Sequence, residues 1–198
     1  MVNAAAAWEL MRGRVGELEA LDEVSQLLEW DQQTMMPSGG AHHRGKHLAA
    51  ISGLHHSRMA DPAVGEWLHA LTDTTDPVQQ SAVRNLRRRH ERAIRVPVDL
   101  VQRIAEASNA GFGTWLEAKN KNDFSIFQPD LENMVLLRRE EVACLGEAAH
   151  PYDHLLDTYD PGSTTAQLQP MFTRLSEVLA AVERPKGRLR IEVDPPRA

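Results

Sequence analysis

One cysteine, Cys144, is all this sequence holds, so no intrachain disulfide can form and a reducing compartment is the simpler setting. No apolar run approaches the ~20 residues a membrane span requires. The opening Met1-Val2-Asn3-Ala4-Ala5-Ala6-Ala7-Trp8-Glu9 has neither the basic segment nor the apolar length of a signal peptide. A cytoplasmic protein with no membrane partner is the expectation. No Gly-rich phosphate loop is present, and no Ser or Cys nucleophile has a His/Asp signature beside it. The net charge of −6 disfavours binding to nucleic acid over the whole surface, since phosphate repels such a body.

What is present is helical. From Ala4 to about Thr34 the apolar residues Trp8, Met11, Val15, Leu18, Leu21, Val24 and Leu28 recur every three or four positions, which predicts a helix with one buried stripe. At roughly 1.5 Å per residue it would span on the order of 45 Å, so it needs a partner along most of its length. Pro37 ends it and Gly39-Gly40 permits a reversal. A second helix is expected from about Ala41 to Ala60. Asp61-Pro62 and Asp76-Pro77 each read as an N-cap followed by proline in the first helical position, opening two more helices. Val96-Pro97 stops the second of these. Further helices are expected over Val98 to about Asn120, Pro129 to Leu145, briefly Pro151 to Asp157, and from Thr164 or Thr165 through Val182. No convincing strand and no fixed-period repeat appears. The fold class is all-α: long antiparallel helices in one elongated domain over residues 1–183, followed by a tail over 184–198. That tail carries five basic and two acidic residues and three prolines, which predicts an extended or disordered segment.

Nine histidines invite a search for metal. His43 and His47 stand at i, i+4, a spacing that lets two imidazoles share one ion, but position 44 is Arg where a His-Glu-x-x-His protease has its general base. His90-Glu91-Arg92-Ala93-Ile94 places an isoleucine where the second ligand belongs. His150 and His154 are also four apart, but Pro151 breaks the helix between them. No metal ligand and no catalytic residue is therefore assigned. The run Arg84, Arg87, Arg88, Arg89, Arg92 and Arg95 has no interleaved aromatic, and a solvated face pairing with acids of neighbouring helices explains it better than a nucleic-acid track.

The most informative stretch is Trp30-Asp31-Gln32-Gln33-Thr34-Met35-Met36-Pro37-Ser38-Gly39-Gly40, where an aromatic, a carboxylate and a glycine turn meet at the end of the long helix. Trp30 filling the core and Asp31 accepting hydrogen bonds from backbone or arginine is one reading. A cleft lined by Trp30, Asp31 and Thr34 is the other.

Trp30-Asp31-Gln32-x-Thr34-x-Met36-Pro37-x-Gly39-Gly40-Ala41 resembles the amino-terminal signature of the carboxypeptidase Taq family, the M32 metallocarboxypeptidases. The similarity continues through Arg95-Val96-Pro97, Asn122-Asp123-Phe124, His150-Pro151-Tyr152-Asp153-x-Leu155-Leu156-Asp157 and Tyr159-x-Pro161-Gly162-x-Thr164-Thr165. Gln33 and Met35 stand where the signature more usually has an acid and an aromatic. The resemblance implies a cytoplasmic, mostly helical, often dimeric enzyme that releases C-terminal amino acids from peptides, using zinc held by a His-Glu-x-x-His helix and a downstream Glu. Those elements come later in the family's longer chains, so no zinc ligand or base is carried over to any residue here, and no cofactor is expected in this chain. The expected partners are a second copy or a full-length relative, with peptide as substrate only once the fold is completed. A truncated product read out of frame after Glu183 is the expectation for the tail.

Overall fold

The computed structural model describes residues 2–182, and the 184–198 tail lies outside the described residues. Contacts divide the chain into two compact units, one ending at Gly146 and the other starting at Glu147. Among the described residues every regular element is helical.

In the first unit, α1 (Ala4–Thr34) starts where the Asn3 side chain accepts the Ala6 N–H. The predicted stripe is buried only along its first half, at Met11 and Leu18 with Ala7 beside them, and Val24 is exposed. α2 (Ala41–Met59) returns after a 3₁₀ turn, Ser38–Gly40. The two Asp-Pro devices work as read: Asp61 accepts from the Ala63 N–H to open α3 (Pro62–Ala70), and Asp76 accepts from Val78 and Gln79 to open α4 (Pro77–Ala93). Asp61 also takes a hydrogen bond from Arg14 at 3.1 Å, and these donors together hold its carboxyl below the usual range. The start of α1, the end of α2, α3 and α4 bury one core around Met11, Trp67, Leu68, Leu71 and Leu86. His90 closes it, its Nδ1 2.7 Å from the Met59 carbonyl.

A second core forms where α5 (Val98–Lys121) packs on α6 (Gln128–Leu145), around Val96, Leu100, Leu137 and Leu145. Asn122 ends α5 in the left-handed conformation, φ 51°, and Gly146 ends α6 at φ 93°. α2 packs most extensively on α5, and glycine makes that approach close. A Cβ at Gly53 would lie 2.4 Å from Gln102 Nε2, and one at Gly45 would lie 2.9 Å from Asn109 Nδ2. Gly45, Ala49 and Gly53, four residues apart and all buried, form the contact stripe.

The second unit contains α7 (Asp153–Leu156) and α8 (Thr165–Val182). Asp153 accepts the Thr165 N–H at 2.8 Å, and that bond lowers its pKa. The amphipathic period predicted for α8 is there, but Met171, Phe172, Leu175, Val178 and Leu179 are all exposed.

Candidate functional site

The elbow at the end of α1 is built by its own sequence. The Met35 and Met36 N–H groups both donate to the Asp31 carbonyl, and the Thr34 hydroxyl turns back onto the Trp30 carbonyl at 2.7 Å. At Gly40 an added Cβ would lie 2.9 Å from Met36 Cγ, so the reversal needs that residue bare. Across the turn Arg44 reaches from α2 to the Leu28 carbonyl and to Asp31 Oδ2, the latter at 2.5 Å. Asp31 is thus the α1 end of a charged latch to α2. Trp30 is 57% exposed and fills no core. Periodicity alone did not distinguish an exposed Trp30 from a buried one.

The other side of the same turn faces a groove of about 450 Å³ between α1, α2 and α5, with Arg138 of α6 at its wall. Glu29, Gln32 and Gln33 line it in place of Trp30, Asp31 and Thr34; Leu48, Ile104, Asn109 and Phe112 lie opposite. Asn109 is 9% exposed and its Nδ2 donates to the Ala41 carbonyl at 2.9 Å. The Asn109 Oδ1 and the Gln32 Oε1 are buried without a hydrogen-bond partner. The groove was not legible from the sequence. Gly45 and Gly53, spaced to bring α5 against α2, were the available sign of it.

On α6, Glu141 is 8% exposed and accepts from Arg92 and Arg138, each at 2.8 Å. A carboxylate this buried needs such pairing. The arginine run is spent largely on holding helices together: Arg87 donates to the Leu68 carbonyl and Arg95 to the Leu145 carbonyl. His55 lies 3.5 Å from Asp22 and faces Arg89 and His56. Burial, with Arg89 and His56, pushes its pKa below 6.5 against the opposing pull of Asp22. His56 Nε2 meets the Val96 carbonyl at 2.7 Å. His42, His43 and His47 are exposed on α2.

The other motif words are turn-makers. Asp123 accepts the Ser125 N–H, His150 Nδ1 accepts the Tyr152 N–H, and Asp157 accepts the Gly162 N–H at 3.0 Å, with Gly162 at φ 87°. In each case the motif residue fixes where a helix stops or starts.

A family model described as carboxypeptidase Taq (M32) metallopeptidase matches residues 11–189. The chain belongs to the carboxypeptidase Taq (M32) metallopeptidase family. Thermostable carboxypeptidase 1 of Thermus thermophilus is 35% identical over 177 residues, 82% of this chain and 35% of that protein. The BsuCP crystal structure superposes with a TM-score of 0.81 at 25% identity, over 86% of this chain and 35% of the other. Pyrococcus furiosus carboxypeptidase, in the structure described as apo-Mg, gives 0.72 at 26% identity, over 89% and 36%. The chain therefore spans about a third of the length of these M32 proteins. A metallopeptidase centre needs several nitrogen, sulfur or oxygen donors converging on one point. Among the described residues no group of three His, Cys, Asp or Glu side chains is placed to hold a metal ion, so the donor set here does not fit a catalytic metal.

Proposed function

We propose that this chain is the amino-terminal helical part of a zinc-dependent M32 carboxypeptidase fold, acting in the cytoplasm, and that it does not hydrolyse peptides by itself. The observation carrying this reading is the match to M32 proteins over about a third of their length together with the missing donor trio among the described residues. Amide hydrolysis requires an activated water and stabilisation of the tetrahedral oxyanion. Asp31, Arg44, Arg92, Arg95, Arg138 and Glu141 are engaged in bonds between or within helices, and Asp61, Asp76 and Asp123 in caps and turns. Trp30, Asp31 and Thr34 then serve as the hinge that sets α2 against α1, and peptide becomes a substrate only in the completed fold. Incubating the purified chain with zinc and an unblocked peptide is expected to release no C-terminal amino acid. Release at the rates of ordinary peptidases would defeat the proposal.

The exposed face of α8 favours a second reading, a helical pairing module. Met171, Phe172, Leu175, Val178 and Leu179 offer a contiguous apolar stripe, which would be covered by a second copy or by a full-length relative. Light scattering distinguishes them: a strictly monomeric, cooperatively melting chain that ignores an added M32 carboxypeptidase counts against pairing.

A further inference from the structure

We propose that His55 is a proton-operated selector that ties α2 to α4 when its ring is neutral and to α1 when its ring is charged, a device independent of peptidase chemistry. A single atom carries the argument. His55 Nε2 lies 3.5 Å from Arg89 Nη2 on α4 and 3.5 Å from Asp22 Oδ1 on α1. A guanidinium only donates and a carboxylate only accepts, so Nε2 must be bare for Arg89 and must carry a proton for Asp22. It cannot serve both at once. Both contacts stand at the long end of hydrogen-bonding distance, so exchanging them breaks no short bond.

The surroundings favour a bare Nε2 at neutral pH. Arg89 meets the ring as a hydrogen bond, whereas Asp22 stands at ion-pair distance and is 53% exposed, where water competes for it. Charged and titratable groups face the ring from three helices: Asp22 from α1, Arg89 from α4, and His56 beside it on α2. His55, His56, Arg89, Arg92 and Glu141 also line one cavity of about 200 Å³. Glu141 is already shared between Arg92 and Arg138, so the carboxylate left to balance a proton arriving on the ring from solvent is Asp22. Protonation therefore commits Nε2 to Asp22 and repels Arg89, which is exposed and has water to turn into. Burial, Arg89 and His56 place this exchange below pH 6.5, so the α2–α4 contact at His55 opens under acid conditions.

The test is a pH titration of the full chain, labelled with nitrogen-15 at histidine and arginine and followed by NMR. The signals lost in His55→Gln and in Arg89→Met assign the two side chains. At about pH 8 the His55 Nε2 is expected to show the shift of a bare ring nitrogen. On acidification it should gain a proton with a midpoint below 6.5, and the Arg89 guanidinium signals should move with that same midpoint. Arg89→Met should send most of the ring to the Nε2–H tautomer at the alkaline end and raise the midpoint. Asp22→Asn should keep the bare tautomer and lower the midpoint, with circular dichroism checking that both variants fold. A histidine that only packs would keep one tautomer in all three proteins. A protonated Nε2 at the alkaline end in the unaltered chain would mean that His55 holds Asp22 throughout, and would overturn the proposal. Arg89 signals that ignore the His55 midpoint, or an unchanged tautomer in folded Arg89→Met, would overturn it too. The titration of the unaltered chain decides even where a variant fails to fold, and peptidase assays play no part in any of these outcomes.

Discussion

α4 and α8 both present apolar side chains at helical spacing, and the two stripes end up in opposite environments. Val83, Leu86 and Ala93 of α4 are buried in the core that α1, α2 and α3 share with it, while Leu175 in the middle of the α8 stripe is 47% exposed, as are its neighbours to a similar degree. α1 repeats the contrast within a single helix, buried at Met11 and Leu18 and open at Val24, Leu27 and Trp30. An amphipathic period states that a face can be buried. Whether it is buried depends on another surface arriving there.

The largest expected effect separates these two environments directly. Leu100 on α5 is 0% exposed, and Leu100→Ala should lower unfolding stability by ~2–5 kcal/mol through lost burial and the cavity left behind. Leu175→Ala should change it by no more than about 0.5 kcal/mol. Urea denaturation checks both, and equal losses would show that α8 is covered in solution. Glycine sharpens the comparison next. Gly53→Ala makes Gln102 shift at the α2–α5 contact, which should offset the helix-propensity gain and leave stability unchanged or lowered by up to ~1 kcal/mol. Gly13→Ala on α1 meets nothing within 4 Å and should instead stabilise by ~0.5–1 kcal/mol through helix propensity. A double-mutant cycle on Asp31 and Arg44 should give a coupling of about 1 kcal/mol, and a value near zero would reduce the latch to a solvent-screened surface pair.

The smallest effect is a pH dependence. His55 has its pKa lowered by burial in the folded protein, so the unfolded chain takes up the proton first as pH falls. Its contribution to stability is full above 6.5 and declines as the pH drops through the folded-state value. Asp22→Asn removes the one neighbour that raises this pKa, and should deepen the loss of stability between about pH 7 and pH 5. Thermal melts of the two proteins across that range provide the measurement. A shallower loss in Asp22→Asn would mean that His55 is solvated.

Helix ends were readable because their chemistry is local. Asp61-Pro62, Asp76-Pro77 and Gly146 act within a few residues of themselves, and each marks a terminus where the sequence places it. The motif words that carry the M32 resemblance were readable for the same reason, as they sit at turns. The Arg44–Asp31 latch was half readable: Asp31 as an acceptor from arginine was among the alternatives, but which arginine depended on where α2 returned. The groove beside it was invisible, because Gln32 and Asn109 are 77 positions apart and become neighbours of one space only through α2 packing on α5.

By itself, then, the order of residues determined that this protein is helical, where most of its long helices begin and stop to within a few residues, and to which peptidase family it is related. Local forces act over three or four residues and need no partner. Only the tertiary structure decided which apolar faces are closed and which stay open, that Trp30 stands in solvent while Asp31 ties two helices, and that Gln32 and Asn109 line one groove. Those outcomes depend on distances between segments far apart in the chain, and packing alone sets them.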